Sequence, residues 1–270
     1  MTSPLNKFPF KCVDQLGRSV LFQSPPTRIV SLVPSQTELL FDLGLEKEVV
    51  GITKFCIHPS SWHNSKTRVG GTKDFKIDLI RSLHPDLILA NKEENTEEGL
   101  QELMNEFPVW ISDIRNLQQA KEMITAVGEM TGKNVESELL LSAITSAFDR
   151  LAFEMKSDTA SKSVVYYIWK NPWMVAGNDT FIHDMLLKCG LEVRPGIPRY
   201  PELSPAALAD NPPDFVFLSS EPFPFNATHQ EDLQKILPKT KVLLVDGEYF
   251  SWYGSRLKNA PSYFKSIILP

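Results

Sequence analysis

The 270-residue sequence predicts an α/β protein of two lobes, each with a mostly parallel sheet flanked by helices, joined by a single long linker helix. Three observations predict it. Lys133 to Asn171 is the longest stretch without glycine or proline, and it lies near the middle of the chain. On either side of it, strand-like and helix-like segments alternate in the same order, the pattern of parallel sheets covered by helices. Finally, His84-Pro85-Asp86-Leu87-Ile88-Leu89 is echoed by Pro212-Pro213-Asp214-Phe215-Val216-Phe217.

In the central stretch Val135, Leu139, Ala143, Ala147, Leu151 and Met155 recur every four residues, and Leu140, Ile144 and Phe148 widen the apolar stripe. The spacing predicts a helix from about Asn134 to Lys156, about 35 Å long at ~1.5 Å per residue. It divides the chain into lobes at residues 1–132 and 158–270 with a linker at 133–157. The alternative is an ordinary amphipathic helix inside one domain.

The first lobe opens with a hairpin, Phe8 to Val13 and Ser19 to Phe22, about a turn at Gln15-Leu16-Gly17. Arg28 to Val33 then reads as a buried strand rich in branched residues. Ser35 and Glu38 have capping-box spacing for a helix that reaches Leu43 and stops at Gly44. Val49 to Thr53 is a strand, Ile77 to Leu83 a helix, Asp86 to Ala90 a strand, Thr96 to Glu106 a helix and Val109 to Ile111 a strand. The second lobe repeats this with strand Val164 to Trp169, a helix that starts at Asp179 or Thr180 and ends before Gly190, helix Ser204 to Ala209 and strand Asp214 to Leu218. Helix Gln230 to Leu237, strand Val242 to Val245 and a last helix over about Ser255 to Ile267 complete it.

A formal charge of −5, with 28 basic and 33 acidic residues spread along the chain, gives no basic stripe for nucleic acid. Three cysteines, Cys12, Cys56 and Cys189, form no Cys-x-x-Cys pair and cannot all be bridged, so free thiols are expected. The first eight residues lack the apolar core of a secretion signal, and no apolar run approaches the ~18 residues of a membrane span. The sequence as given therefore reads as cytoplasmic, without membrane insertion, and as periplasmic or surface-anchored if a leader has been removed.

Ligands of open α/β sheets bind beyond the carboxyl ends of the strands, so the loops there hold the candidates. They carry Phe55, Asn91 and Glu93 in the first lobe. In the second they carry Trp169, Trp173, Glu221, Glu248, Tyr249 and Trp252, with Tyr200 just before a helix. Rings in loops, where a core has no need of them, suit a flat-faced and partly apolar ligand. Carboxylates there (Glu93, Glu94, Glu221, Glu248) face Lys54, Lys92 and Lys170, and no arginine cluster awaits a strongly anionic ligand. No metal site is expected; were a divalent ion held, His58 and His63 with Cys56 or Glu93 would be its donors. Of enzyme motifs, Gly128 to Lys133 has only three residues between its glycines and Asn134 where a phosphate loop needs serine or threonine. A Cys56/His58 or Cys56/His63 thiol enzyme is the one catalytic alternative.

Arg28-Ile29-Val30-Ser31-Leu32-Val33-Pro34-Ser35-Gln36-Thr37-Glu38, Val69-Gly70-Gly71, Leu83-His84-Pro85-Asp86-Leu87-Ile88-Leu89-Ala90 and Ala176-Gly177-Asn178-Asp179-Thr180-Phe181-Ile182 together resemble the helical-backbone (class III) periplasmic substrate-binding proteins of bacterial ABC importers, which take cobalamin and ferric siderophores. The likeness is greatest to the cobalamin-binding branch and runs from about Val13 to Phe264. It implies a monomeric, non-enzymatic protein without intrinsic cofactor. Its ligand, cobalamin or a ferric chelate, is held between two lobes and delivered to an ABC permease. Carried over by position, Phe55, Trp169, Trp173 and Tyr200 match the aromatic contacts and Glu248 an acidic residue, while Thr72 and Asn91 stand where those proteins have tryptophans. The family also meets its permease through one exposed carboxylate per lobe. Asp78 matches the first; the second position is Ala206, with Glu202 one turn away. An intracellular metal or chelate carrier without a permease is the alternative function.

Overall fold

Branched apolar runs around residues 29–31 and 163–169 become the first strands of two separate parallel sheets in the computed structural model of the protein, which describes residues 8–155 and 162–269. The chain divides into two units. The first takes it as far as Ile114, then Gln118–Ala143 and Tyr253–Arg256; the second takes Arg115–Leu117, Ile144–Trp252 and the chain from Leu257.

In the first unit, β1 (Phe10–Val13) and β2 (Ser19–Phe22) form the expected antiparallel hairpin. Asp14 Oδ1 accepts from the Leu16 and Arg18 amides at 3.0 and 2.8 Å, and Gly17 takes φ 80°, which closes the turn. The main sheet has the order β5-β4-β3-β6-β7, all parallel: β3 is Ile29–Ser31, β4 Val49–Ile52, β5 Thr67–Arg68, β6 Leu87–Asn91 and β7 Val109–Ser112. The order reverses between β3 and β6. Helices α1 (Pro34–Asp42), α2 (Ser60–Ser65), α3 (Ile77–Ser82), α4 (Glu97–Met104) and α5 (Leu117–Thr131) connect or follow these strands. Val30, Leu32, Ile88, Ala90 and Ile111 of the sheet pack with Ile80, Leu100 and Leu103 of α3 and α4.

The capping box expected at Ser35 and Glu38 is not there. Pro34 opens α1 behind Val33, which makes no side-chain cap, and Glu38 turns instead to Arg256, which donates to it at 2.8 and 3.1 Å. Proline at the first helical turn supplies a preset φ and has no amide to leave unsatisfied. The glycines of Gly128 to Lys133 also find a structural role. Gly132 takes φ 70° in the turn out of α5, and a Cβ at Gly128 would lie 2.2 Å from Ser137 Oγ.

Helix α6 (Asn134–Met155) is 22 residues long, belongs to the first unit as far as Ala143 and to the second from Ile144. Lys156, the expected last residue, lies outside the described residues, as does the expected boundary at 157 and 158. Its buried seam is Ile144, Phe148, Leu151 and Met155, whereas Val135 and Leu139 are 53 % and 67 % exposed. Four residues overshoot a 3.6-residue turn by about 40°, so a column repeated every four positions winds off any one face. A seam alternating steps of four and three stays on it.

The second unit's sheet has the order β10-β8-β11-β12, parallel, with β8 Ser163–Trp169, β10 Glu192–Val193, β11 Phe215–Ser219 and β12 Lys241–Val245; β9 (Met174–Val175) pairs antiparallel to β8. Here the order reverses between β8 and β11. Helix α7 (Phe181–Lys188) starts at Thr180, whose hydroxyl accepts from the His183 amide at 3.1 Å. Helix α8 (Ala227–Ile236) starts at Asn226, which exchanges hydrogen bonds with His229. The helix expected over Ser204 to Ala209 is only a 3-10 turn, Pro205–Leu208. The expected last helix is broken into a 3-10 turn, Ser255–Lys258, and α10, Ala260–Ile268, because Pro261 can sit only in a first turn. A short α9 (Glu248–Ser251) precedes it.

Candidate functional site

The loops that leave the carboxyl ends of the two sheets are built from opposite kinds of residue. In the first unit the loop after β6 is organised by two asparagines. Asn91 is 2 % exposed: its Nδ2 donates to the Ser112 carbonyl (3.2 Å) and Oγ (3.0 Å), and its Oδ1 accepts from the Glu93 and Glu94 amides at 2.8 and 3.1 Å. Asn95 Nδ2 donates to the carbonyls of Leu32 and Thr72, and its Oδ1 accepts from the Asn91 amide. Asn91 is one of the residues expected to contact a ligand. Both its polar atoms are committed to backbone and Ser112, and it shapes the loop that carries Glu93 and Glu94.

After β4, Phe55 is 51 % exposed, with the Lys54 ammonium 5.1 Å from its ring centroid. Gly71 leaves room for that ring, since a Cβ there would come within 3.1 Å of it and 2.0 Å of Asp74 Oδ1. Glu93 is half-buried. Glu94 Oε1 accepts from the Tyr253 hydroxyl at 2.6 Å, and burial together with that carboxylate holds the Tyr253 phenol above its ordinary range.

In the second unit Trp169, at the end of β8, is 40 % exposed and meets Phe223 edge to face at 5.7 Å. Trp173 is half-buried: it stacks on Phe225 at 5.7 Å, meets Tyr167 edge-on and packs against the apolar cluster that holds Val165, Val216 and Leu233. Tyr249 stacks on Tyr263 at 4.5 Å. Trp252 is 7 % exposed, its indole Nε1 donating to Glu221 Oε1. Each of the three has partners within the unit; Trp252 is buried, while Trp173 and Tyr249 are half-buried. Tyr200 is half-buried with the Arg199 guanidinium 5.4 Å from its ring. Glu248 opens α9, its amide donating to Asp246 Oδ1 at 3.1 Å. Glu221 also accepts from Ser251 Oγ at 2.7 Å, and burial pushes its carboxyl up against the opposing effect of that bond.

The thiol-enzyme alternative fails on geometry. Cys56 is fully buried, its sulfur 3.1 Å from the hydroxyls of Thr37 and Thr53, and burial raises its thiol above the ordinary range. A thiolate nucleophile needs the reverse environment. His63 Nδ1 lies 3.2 Å from the Cys56 carbonyl oxygen, not from the sulfur. Among the described residues no three His, Cys, Asp or Glu side chains gather to hold a metal ion.

The expected docking carboxylates lie on the surface. Asp78 is 97 % exposed and meets Arg81 at 2.9 Å, which also binds Glu102 and Glu106. Glu202 and Ala206 are both exposed. Residues that sequence reasoning missed are Ser251, which anchors Glu221, and Tyr253 and Arg256, which join the first unit from the far end of the chain.

Comparison with known proteins gives these loops a context. A family model described as periplasmic binding protein matches residues 29–238. The chain is 27 % identical over 186 residues to an uncharacterized ABC transporter substrate-binding lipoprotein, YvrC, of Bacillus subtilis, covering 66 % of this chain and 59 % of that one. It is 22 % identical to the vitamin B12-binding protein of Pectobacterium carotovorum, covering 86 % and 84 %. Among solved structures, the periplasmic vitamin B12 binding protein BtuF of Vibrio cholerae superposes with TM-score 0.76 at 18 % identity over 90 % of this chain and 97 % of that one. A periplasmic heme binding protein of Pseudomonas aeruginosa gives 0.76 at 21 % identity, covering 91 % and 93 %. These relatives are named as binding proteins, not enzymes. Names that say periplasmic or lipoprotein give the cytoplasmic expectation no support, and among the described residues no helix is long and apolar enough to cross a membrane. With the matched segment holding every strand of the first parallel sheet and all but β12 of the second, the chain belongs to the periplasmic binding protein family.

Proposed function

We propose that the chain is the substrate-binding component of an ABC-type importer whose cargo is a metal chelate, a corrinoid such as cobalamin or a ferric chelate. The observation that carries this reading is the pair Phe55 and Trp169, large rings left exposed at the carboxyl ends of two parallel sheets. Exposed rings at that end of an open α/β sheet suit a flat, partly apolar ligand. Relatives named for vitamin B12 and heme support the cargo class. Glu93 in the first unit, and Tyr200, Glu221 and Glu248 in the second, are half-buried polar residues of other loops. The chelate is cargo, and no resident cofactor is invoked. Calorimetric titration with cyanocobalamin tests the corrinoid version; absence of saturable heat at high micromolar ligand would remove it.

Asp78 and Glu202 are the proposed permease contacts. Ala206, standing where the family places its second carboxylate, favours a second reading in which the protein carries its chelate without a permease. Uptake of ligand by vesicles bearing the cognate permease separates the two: D78A/E202A abolishes it in the first reading, whereas the second gives no uptake to abolish.

A further inference from the structure

One histidine of the second unit sits inside the aromatic group that backs Trp169. His229, in the first turn of α8, is half-buried, and its ring lies 5.5 Å from that of Phe223 and 5.5 Å from that of Phe225, edge to face on both. Phe223 in turn meets Trp169 edge to face at 5.7 Å, and its amide donates at 3.3 Å to the carbonyl of Ile168, the residue before that tryptophan. The loop between β11 and α8 is therefore tied at one end to the exposed ring and at the other to His229.

The histidine also closes the helix cap. Its Nδ1 accepts from the Asn226 amide at 3.2 Å, and its own amide donates to Asn226 Oδ1 at 3.3 Å. A backbone amide can only donate, so Nδ1 carries no proton and the ring is neutral in this arrangement. Protonation removes the acceptor, sets N–H against N–H and places a cation in the first turn of a helix, the end that disfavours it. Burial, and after it the ammonium of Lys170 on the loop after β8, hold the imidazole below its ordinary range; Asp232, on α8 itself, opposes them and is paired with Lys235 at 3.2 Å. Lys170 is held nearby, its ammonium 5.5 Å from the Trp173 ring centroid. Residues 222–226 carry no charge; of the other elements packed on α8, Pro205–Leu208 carries none and β12 only Lys241, whose ammonium lies over the Phe215 ring.

We propose that His229 is a positioning residue for Trp169, acting through Phe223, and that acidification, by protonating it, opens the cap, frees the loop and weakens the hold on the cargo. The inference rests on the reading of Trp169 as a contact for that cargo. Above the ordinary imidazole value of ~6.5 the cap is fully formed, and it is lost as pH falls below that value through the folded one. The imidazolium leaves its place between the two phenylalanines for water, so Phe223 loses the neighbour that holds it against Trp169.

Two measurements on the whole chain test this. Without ligand, the tryptophan emission of the native protein is expected to step between about pH 7 and 5. The step is expected to be absent from W169F and from H229Q, whose side-chain amide accepts from Asn226 at every pH. With ligand, calorimetry with cyanocobalamin, which has no group titrating in that range, is expected to show affinity about fivefold weaker at its acid end, the scale of one lost helix cap. H229A binds weakly throughout, whereas H229Q keeps in acid the affinity that the native protein loses, a split that a merely structural histidine would not produce. Native affinity independent of pH, the same pH dependence in H229Q, or an emission step that survives in H229Q overturns the inference and leaves the chelate-binding reading standing. Failure of cyanocobalamin to bind at any pH overturns the corrinoid reading instead, and the emission step then decides by its presence or absence whether His229 governs Trp169.

Discussion

Asp214 and Ser163, 51 positions apart, are joined twice: the amide and the hydroxyl of Ser163 both donate to Asp214 Oδ2, at 2.7 and 2.9 Å. The carboxylate at the entrance to β11 thereby pins the start of β8, its parallel neighbour. Asp86 does the same at the entrance to β6, accepting from the Thr27 and Arg28 amides at 2.8 and 2.7 Å just ahead of β3. The Pro-Asp echo in the sequence therefore has a physical cause. Each sheet uses one acidic side chain to satisfy the orphan donors where its first strand begins.

Removal of either pin lowers stability without touching the ligand loops. D214A and D86A are each expected to cost about 1–2 kcal/mol, the net worth of hydrogen bonds to a charged acceptor at an accessible site. The Ser163 amide holds the Asp214 carboxyl below its ordinary range, so its contribution is present above the unfolded-state value near ~3.9 and is lost as pH falls through the folded one. Urea titrations at pH 7 and below pH 3 check this: the D214A deficit shrinks at the lower pH, and an unchanged deficit contradicts it.

The pair Arg256 and Glu38 behaves as a buried salt bridge, with side chains only 12 % and 19 % exposed. R256A strands the Glu38 carboxylate and is expected to destabilise by about 3 kcal/mol, while E38Q/R256M recovers much of the loss. A double-mutant cycle in urea measures the coupling. Additive losses would mean that the two side chains act independently.

Exposed and packed rings separate binding from stability. F55A and W169A are expected to weaken chelate binding about tenfold each, since aromatic contacts are worth roughly 0.5–1.5 kcal/mol beyond area burial, and to leave the melting temperature nearly unchanged. W173A does the opposite, costing about 3 kcal/mol of stability through the cavity it leaves beside Tyr167 and Phe225. Parallel calorimetry and thermal melts decide; a W173A protein of native stability would show that the ring is not part of the packing.

The three cysteines are free and buried, and burial pushes the Cys12 thiol up to about 11 and those of Cys56 and Cys189 higher than usual. Ellman's reagent is expected to titrate none of them quickly in the native protein and all three in denaturant. C56A retains chelate binding. Rapid stoichiometric labelling of native protein is the result that would count against this arrangement.

Much of the architecture is written in short-range pattern. Branched runs, turn glycines and Pro-Asp entries identified most of the strands and the two-sheet plan, because a strand's period and a turn's φ are set by neighbouring residues. The sequence also singled out Phe55 and Trp169 as loop rings. What tertiary structure alone decided is which candidates remain accessible. Trp252 is as aromatic and as loop-borne as Trp169, yet it is buried with its indole bonded to Glu221, and Trp173 and Tyr249 are half-buried against Phe225 and Tyr263. Asn91 reads in the sequence only as a polar loop residue, and only the fold shows both ends of its amide bonded to Ser112 and its own loop. In α6 the four-residue repeat was visible, but only packing chose the seam through Ile144, Phe148 and Leu151. Exposure is a property of what lands on a side chain. For Tyr253 that is Glu94, 159 residues away, a pairing that no local pattern encodes.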